Sequence, residues 1–140
     1  MRRLMALCVI GLLAGSIFGG LLKLIELLTD KKVYTLLLNV DYFPILKDVS
    51  RSELMDFMFH LIVSMIVVIV LFNCLKYMGR AYNVMDYVWL NIAIAFVLYL
   101  TTTFSERTPL LTDWIALAYW TAGHIVYGLL IGWFVKYIES

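Results

Sequence analysis

Two histidines, His60 and His124, are the side chains in this sequence with the clearest capacity for proton chemistry. Each lies inside a long apolar run, where an ionisable group is costly unless it is paired or hydrated. Because imidazole titrates near neutral pH, two rings facing a shared polar interior would form a proton-sensing or proton-relaying site. The competing interpretation is structural, with one ring nitrogen hydrogen-bonded to a hydroxyl or carbonyl group in the helix packing.

Three further polar residues share the predicted helical face of His60. They lie at offsets of three or four residues and are Glu53, Asp56 and Ser64. We expect Glu53 and Asp56 at the water boundary and His60 within the apolar stretch. The two histidines and Asp56 would supply three metal ligands. That hypothesis is the weaker one, because nothing in the sequence shows that the three side chains converge.

Glycines at steps of four form a flat strip on each of two predicted helices. The first strip is near the N-terminus, the second follows Trp120 and His124 at the same spacing, and the glycines are Gly11, Gly15, Gly19, Gly128 and Gly132. Small residues let another helix backbone approach closely, so we predict helix packing at both strips. The spacing leaves open whether the partner helix belongs to the same chain.

Polar side chains also occur near the ends of the apolar runs and within one of them. Lys23 and Glu26 are three residues apart, so we predict an ion pair near the interface, which a lysine side chain can reach. Asp113 is predicted to be a favourable terminal charge at the start of the last helix. Asn91 is expected to seek a hydrogen bond to another helix.

These residues lie in four apolar segments that are long enough to cross a membrane. The chain has 140 residues and is 64% hydrophobic, which is more apolar surface than a soluble domain of this size can hide. A hydrocarbon core about 30 Å thick requires roughly 20 apolar helical residues. We predict an all-α, single-domain transmembrane bundle with both termini on the same side, built from residues 4–28, 54–77, 85–104 and 110–138.

The connections between these segments carry the expected helix boundaries. Residues 29–52 are predicted to lie at the membrane interface, and Ser50 and Glu53 have capping-box spacing at the next helix start. The short connection over residues 78–84 predicts that helices two and three are antiparallel neighbours. Thr108 as a cap before Pro109 predicts the start of the last helix.

Charge excludes some partners and leaves the orientation nearly undetermined. With 11 basic and 10 acidic residues there is no concentrated basic face, so we predict no nucleic-acid partner. Positive residues divide evenly between the two sides, and Arg2 and Arg3 tip the prediction toward a cytoplasmic N-terminus. The first helix is expected to be retained rather than cleaved as a signal peptide. The predicted partners are the lipid bilayer and a second copy or another membrane protein.

The order of these features resembles the YagU-like family of small bacterial inner-membrane proteins. The similarity is carried by Gly11-Leu-Leu-Ala-Gly15 with Lys23 and Glu26, by His60-Leu-Ile-Val-Ser64, and by Ala122-Gly123-His124 with Ile125-Val126-Tyr127. The chain departs from the family in being shorter and in lacking a proline-rich insertion in its first connection. The resemblance implies a multi-pass protein of the bacterial cytoplasmic (inner) membrane and a loose association with acid resistance. It implies no biochemical activity.

The residues support two main functional hypotheses. The first is a small transport or pH-responsive membrane protein, linked to acid stress through the resemblance, in which His60 and His124 face a shared polar interior. The alternative is a membrane scaffold or assembly protein that acts through helix–helix contacts. An enzyme is the least favoured class, because neither G-x-S-x-G nor H-E-x-x-H occurs. We predict no catalytic residue, no metal and no cofactor.

Overall fold

All regular secondary structure is helical in the computed structural model, which describes residues 1–40, 45 and 52–138. The helices are α1 (Arg2–Thr29), α2 (Val33–Leu37), α3 (Glu53–Tyr77), α4 (Val84–Tyr99), which continues as a 3-10 segment over Leu100–Phe104, and α5 (Trp114–Ile138). Four described segments are long and apolar enough to cross a membrane: α1, α3, α4 with its 3-10 extension, and α5. The prediction of an all-α bundle with four such segments is confirmed.

Helices α1 and α5 form the centre of the bundle. They pack on each other, α3 packs on α1, and α4 packs on α5, whereas α3 and α4 make few direct contacts. Contacting helices run antiparallel, so the start of α1 and the end of α5 lie at the same end of the bundle. The predicted antiparallel neighbours, helices two and three, make only this small direct contact, because the more extensive packing partners of both are the two central helices.

Glycine-mediated close approach explains why these particular helix pairs form. A Cβ atom added at Gly11 would lie 2.6 Å from the Cα of Met65, and one at Gly15 would lie 2.6 Å from the Ser64 Oγ, both on α3. A Cβ atom added at Gly128 would lie 2.8 Å from the Cα of Val88 on α4. Each strip therefore faces a helix of the same chain.

The start of α3 agrees with the prediction to within one residue but has a different cap, and the start of α5 is displaced. The cap of α3 is Ser52, whose Oγ accepts from the Met55 N–H at 3.2 Å, while Ser50 lies outside the described residues. Helix α5 begins at Trp114 rather than at Pro109, and an Asp113 carboxylate oxygen accepts from the Ala116 N–H at 3.0 Å. Thr108 does not cap a helix because its hydroxyl donates to the carbonyl of Ser105 at 3.1 Å.

The first connection is partly folded into the bundle. Within it, α2 packs on α1 and α5 and buries Val33 and Leu36. The side chains that α2 inserts are apolar, so this part of the connection packs onto one end of the central helix pair. The remainder of the predicted interfacial segment, residues 41–44 and 46–51, lies outside the described residues.

Candidate functional site: an intramembrane cavity

A cavity of about 200 Å³, here called the apolar cavity, occupies the gap left between α3 and α4. Its inner wall comes from the central helices, its sides from α3 and α4, and one end from the residues that follow α2. The lining residues on which the following argument depends are Phe18, His60, Ser64, Asn91, Trp120, His124 and Tyr127. His60 is seven residues into α3 and His124 ten into α5, or about 10 and 15 Å along the helix axes. Against a hydrocarbon core about 30 Å thick, the cavity lies at membrane depth.

Part of the lining of the apolar cavity is exposed on the outside of the bundle, and this part is here called the mouth. It comprises Phe59 and Val63 of α3 and Leu98 of α4, which are 37%, 54% and 37% exposed, respectively. All three belong to membrane-spanning segments, where the medium in contact with an exposed side chain is lipid. A molecule dissolved in the bilayer can therefore reach the cavity without passing through water.

His60 and Ser64 bond to the backbone of α1. The His60 Nε2–H donates to the Gly15 carbonyl at 3.0 Å, and the Ser64 hydroxyl donates to the Gly11 carbonyl at 2.7 Å. These side chains are one turn apart on α3, and their acceptors are one turn apart on α1. The H-x-x-x-S and G-x-x-x-G patterns thus form a single helix–helix contact, made possible by the close approach at the glycines.

The second histidine bonds within its own helix. The His124 Nδ1–H donates to the Trp120 carbonyl at 3.0 Å, and the side chain is buried. The Phe18 ring lies beside both imidazoles, with centroid distances of 6.0 Å to His60 and 4.8 Å to His124. The structure therefore brings the two sequence-predicted histidines to one cavity.

The backbone partners determine the tautomer of each neutral imidazole. A carbonyl oxygen only accepts, so His60 carries its hydrogen on Nε2 and His124 carries its hydrogen on Nδ1. The remaining nitrogens, Nδ1 of His60 and Nε2 of His124, are hydrogen-bond acceptors. Neither has a hydrogen-bond partner in the part of the chain that the structure describes.

Asn91 adds a third acceptor on the side of α4. It is fully buried, and its Nδ2 donates to the Tyr87 carbonyl at 2.8 Å, so the expected hydrogen bond to another helix is replaced by one within α4. Its Oδ1 has no partner among residues 1–40, 45 and 52–138. An unsatisfied buried acceptor costs about 1–3 kcal/mol, which a donor in the cavity would offset.

Sequence reasoning missed the role of Tyr127 and one interhelical hydrogen bond. The Tyr127 hydroxyl lies 2.6 Å from the Ser64 Oγ, and it is the donor because Ser64 donates to α1. Trp120 Nε1–H donates to the Ala95 carbonyl at 2.9 Å and joins α5 to α4. The available signal was spacing, since Tyr127 follows His124 by three residues and so shares its helical face.

A second, polar pocket of about 420 Å³ lies where α1 ends and α3 begins, and is here called the polar pocket. It shares Leu38, Asn39 and Asp56 with the apolar cavity, so the two spaces meet there. Its charged lining comprises two cations and three carboxylates, namely Lys23, Arg107, Glu26, Glu53 and Asp56. Glu53 and Asp56 therefore line the polar end of the site, and Asp56 borders both spaces.

The predicted Lys23–Glu26 ion pair does not form. Lys23 pairs instead with Glu53 across the α1–α3 contact. Glu26 accepts from the Thr35 N–H at 2.8 Å and from the Thr35 hydroxyl at 2.7 Å, which attaches α2 to α1. Both carboxylates find partners outside their own helix, which a spacing rule within one helix cannot anticipate.

Tyr34 on α2 also contacts Glu53. Burial and the neighbouring Glu53 raise the pKa of Tyr34 to about 12, so its hydroxyl stays protonated and donates to Glu53 at 3.2 Å.

Asp113 connects the last helix to the loop before α2. Lys31 Nζ lies 2.8 Å from one carboxylate oxygen and 3.1 Å from the other. The hydrogen bond from Lys31 and, after it, that from the Ala116 N–H lower the pKa of the Asp113 carboxyl group. The carboxylate is therefore ionised at neutral pH and acts as both cap and ion-pair partner.

The convergence of the histidines does not extend to a metal-ligand set. Within the described ranges, no group of three His, Cys, Asp or Glu side chains is placed to hold a metal ion. Asp56 lines the same cavity as His60 and His124 but does not complete such a group with them.

Comparison with known proteins assigns no family to this chain. No protein-family model, curated protein or solved structure matches it. The interpretation of the site therefore depends on its own geometry. That geometry is that of a multi-pass membrane protein with four apolar helices and a cavity between them.

Proposed function

We propose that the protein is a small membrane transport protein whose substrate enters the apolar cavity sideways from the bilayer. The observation that carries this proposal is the gap between α3 and α4, with exposed apolar residues at its mouth and polar groups on its walls. At about 200 Å³ the cavity is larger than the cavity of about 150 Å³ that holds benzene in an engineered protein. It therefore has room for a small lipophilic molecule.

The pH-responsive form of this proposal assigns proton binding to the two histidines. Their free nitrogens, Nδ1 of His60 and Nε2 of His124, accept either a hydrogen bond from a substrate or a proton. Substrate and proton would then compete for the same atoms. The link to acid stress stays a prediction of the resemblance to the YagU-like proteins.

The scaffold hypothesis receives less support. This hypothesis was based on the first glycine strip, and that strip packs against α3 of the same chain, with Gly11 next to Met65 and Gly15 next to Ser64. A surface already covered within the monomer does not recruit a partner without opening the bundle. We therefore place transport first.

Flux through proteoliposomes with a narrowed mouth tests the transport proposal. Val63→Trp places a large ring at the mouth, and Val70→Trp is the matched control, because Val70 is 51% exposed on the same helix and does not line the cavity. The probes are radiolabelled single-ring amphiphiles that are cationic, anionic or uncharged. We expect the wild type to carry at least one of these probes, Val63→Trp to slow it about tenfold, and Val70→Trp to leave it within about twofold. Equal rates for wild type and empty vesicles, or equal losses in both variants, would refute the proposal.

A further inference from the structure

We infer that the ligand of the apolar cavity is a lipophilic primary amine in its protonated form. This inference deepens the proposed function and rests on it for the cavity's role as a substrate site. The observation behind it is that three acceptor atoms of residues that line the cavity have no hydrogen-bond partner in the described part of the chain. They are the Nδ1 of His60, the Nε2 of His124 and the Oδ1 of Asn91.

The acceptor character follows from the bonds that the same side chains already make. His60 and His124 have each given their single N–H donor to a backbone carbonyl, and Asn91 has given one of its two amide N–H donors to the carbonyl of Tyr87. Backbone carbonyls cannot donate, so no alternative tautomer of either neutral imidazole keeps its bond and turns the remaining ring nitrogen into a donor, and a flipped Asn91 amide would lose its bond to Tyr87. A ligand that satisfies these walls must supply donors, and a primary ammonium group has three N–H donors for three acceptors.

Aromatic rings and charge favour a cation over a neutral donor. Phe18, Trp120 and Tyr127 line the cavity, and ring faces attract an ammonium group, most strongly where water is excluded. The adjoining polar pocket holds three carboxylates against two cations, and one of those carboxylates, Asp56, borders the cavity itself. A neutral alcohol would satisfy an acceptor but would gain nothing from this charge, and an anion would be repelled by it.

The apolar part of the ligand is set by the rest of the lining. Val63, Val67, Ile94 and Leu98 line the sides of the cavity, and its mouth opens to lipid. An alkyl or aryl-alkyl group would occupy this part, with the amine directed at His60, His124 and Asn91. The volume of about 200 Å³ limits the ligand to a short chain or a single ring.

Binding of three matched probes to the full chain in lipid nanodiscs tests the inference. The probes are n-hexylamine, which like a lysine side chain is protonated at neutral pH, n-hexanol, which donates without charge, and n-hexyltrimethylammonium, which is charged without an N–H donor. Calorimetric titration is expected to show that hexylamine binds about tenfold more tightly than either of the other two. Equal binding of the three probes, the tightest binding by the trimethylammonium probe, or no binding of any would overturn the inference.

Substitutions of Asn91 identify the acceptor. Asn91→Leu is expected to weaken hexylamine binding about tenfold, and Asn91→Asp, which adds negative charge, is expected to strengthen it. Asn73→Leu is the matched control, since Asn73 makes the same bond to the carbonyl four residues back, at 2.8 Å to Ile69, but is exposed on α3. An unchanged preference for the amine in both Asn91 variants would overturn the inference.

The outcomes separate this inference from the transport proposal. Amine-selective binding without any flux would refute transport and leave the ligand class standing. Flux that is equal for amine and alcohol would refute the ligand class and leave transport standing.

Discussion

One local rule holds for five polar side chains of the cavity wall: each donates to a backbone carbonyl, and the residues are His60, Ser64, Asn91, Trp120 and His124. Tyr127 is an exception, because its hydroxyl donates to the Ser64 Oγ. His60 and Ser64 donate to α1, and His124 donates within α5. A helix carbonyl has a second lone pair beyond its intrahelical bond, so these contacts do not disrupt either helix. In lipid the alternative is an unsatisfied polar group, which is costly. The rule leaves acceptors facing the cavity.

The pH dependence of stability is expected to reveal Asp113 as an ionised cap. Its lowered pKa means that the folded state favours the carboxylate, so the stability it supplies is present above the ordinary Asp value of about 4 and is lost as the pH falls below it. Asp113→Asn keeps a capping oxygen but removes the pairing with Lys31, and should cost up to about 1 kcal/mol at neutral pH. Thermal unfolding in detergent measures the difference, which should shrink at about pH 3. A difference that persists unchanged there would contradict this role.

Pairs of helices are selected by where backbones can approach. Gly11 and Gly15 admit α3 against α1, and Gly128 and Gly132 admit α4 against α5. Association of helices in lipid depends on such packing because there is little hydrophobic gain from contact. The facing surfaces of α3 and α4 lack a comparable glycine contact among the positions that the structure describes, and the cavity occupies the space between them.

Alanine substitutions in α1 are expected to separate packing glycines from exposed ones. Gly11→Ala places a methyl group 2.6 Å from the Met65 Cα, which is backbone and cannot turn away, so we expect a loss of about 1–3 kcal/mol. Gly20→Ala is the control on the same helix, because an added Cβ atom there meets nothing within 4 Å. Unfolding in mixed detergent measures both variants. Equal stability of the two would show that the α1–α3 contact is not as close as described.

For the whole molecule, the arrangement of the helices defines two ends and a lateral opening between them. The end of α1, the start of α3 and the start of α5 lie together, with the polar pocket at their junction. The connection between α3 and α4 lies at the other end. This layout places the polar pocket at one membrane surface and the apolar cavity beneath it.

Labelling of single cysteines with a water-soluble maleimide tests this layout. In a chain whose own Cys8 and Cys74 are replaced by alanine, Lys31→Cys and Arg107→Cys should react from one side of the membrane and Arg80→Cys only from the other. Intact oriented vesicles, compared with permeabilised ones, supply the measurement. Labelling of all three positions from the same side would contradict four crossings.

Local pattern was enough to predict the helices and some of the site. Four apolar segments follow from length and composition, since only helices satisfy their own backbone groups in lipid. Steps of four placed His60 with Ser64, and His124 with the second glycine strip, because the helical repeat brings such residues to one face. The predicted Lys23–Glu26 pair was wrong because Lys23 pairs with Glu53, 30 residues away. The errors at Thr108 and at the start of the last helix involve local hydrogen bonds instead, at Thr108 and at Asp113.

The sequence by itself therefore determined that the membrane-spanning segments are helices. It also determined which face of each helix carries polar or small side chains. Both properties depend on neighbours a few residues apart. Only the tertiary structure decided which helices touch, that both histidines reach one cavity, and which ring nitrogen of each remains an acceptor. Those features depend on distances between segments that are separated along the chain, and such distances are set by packing.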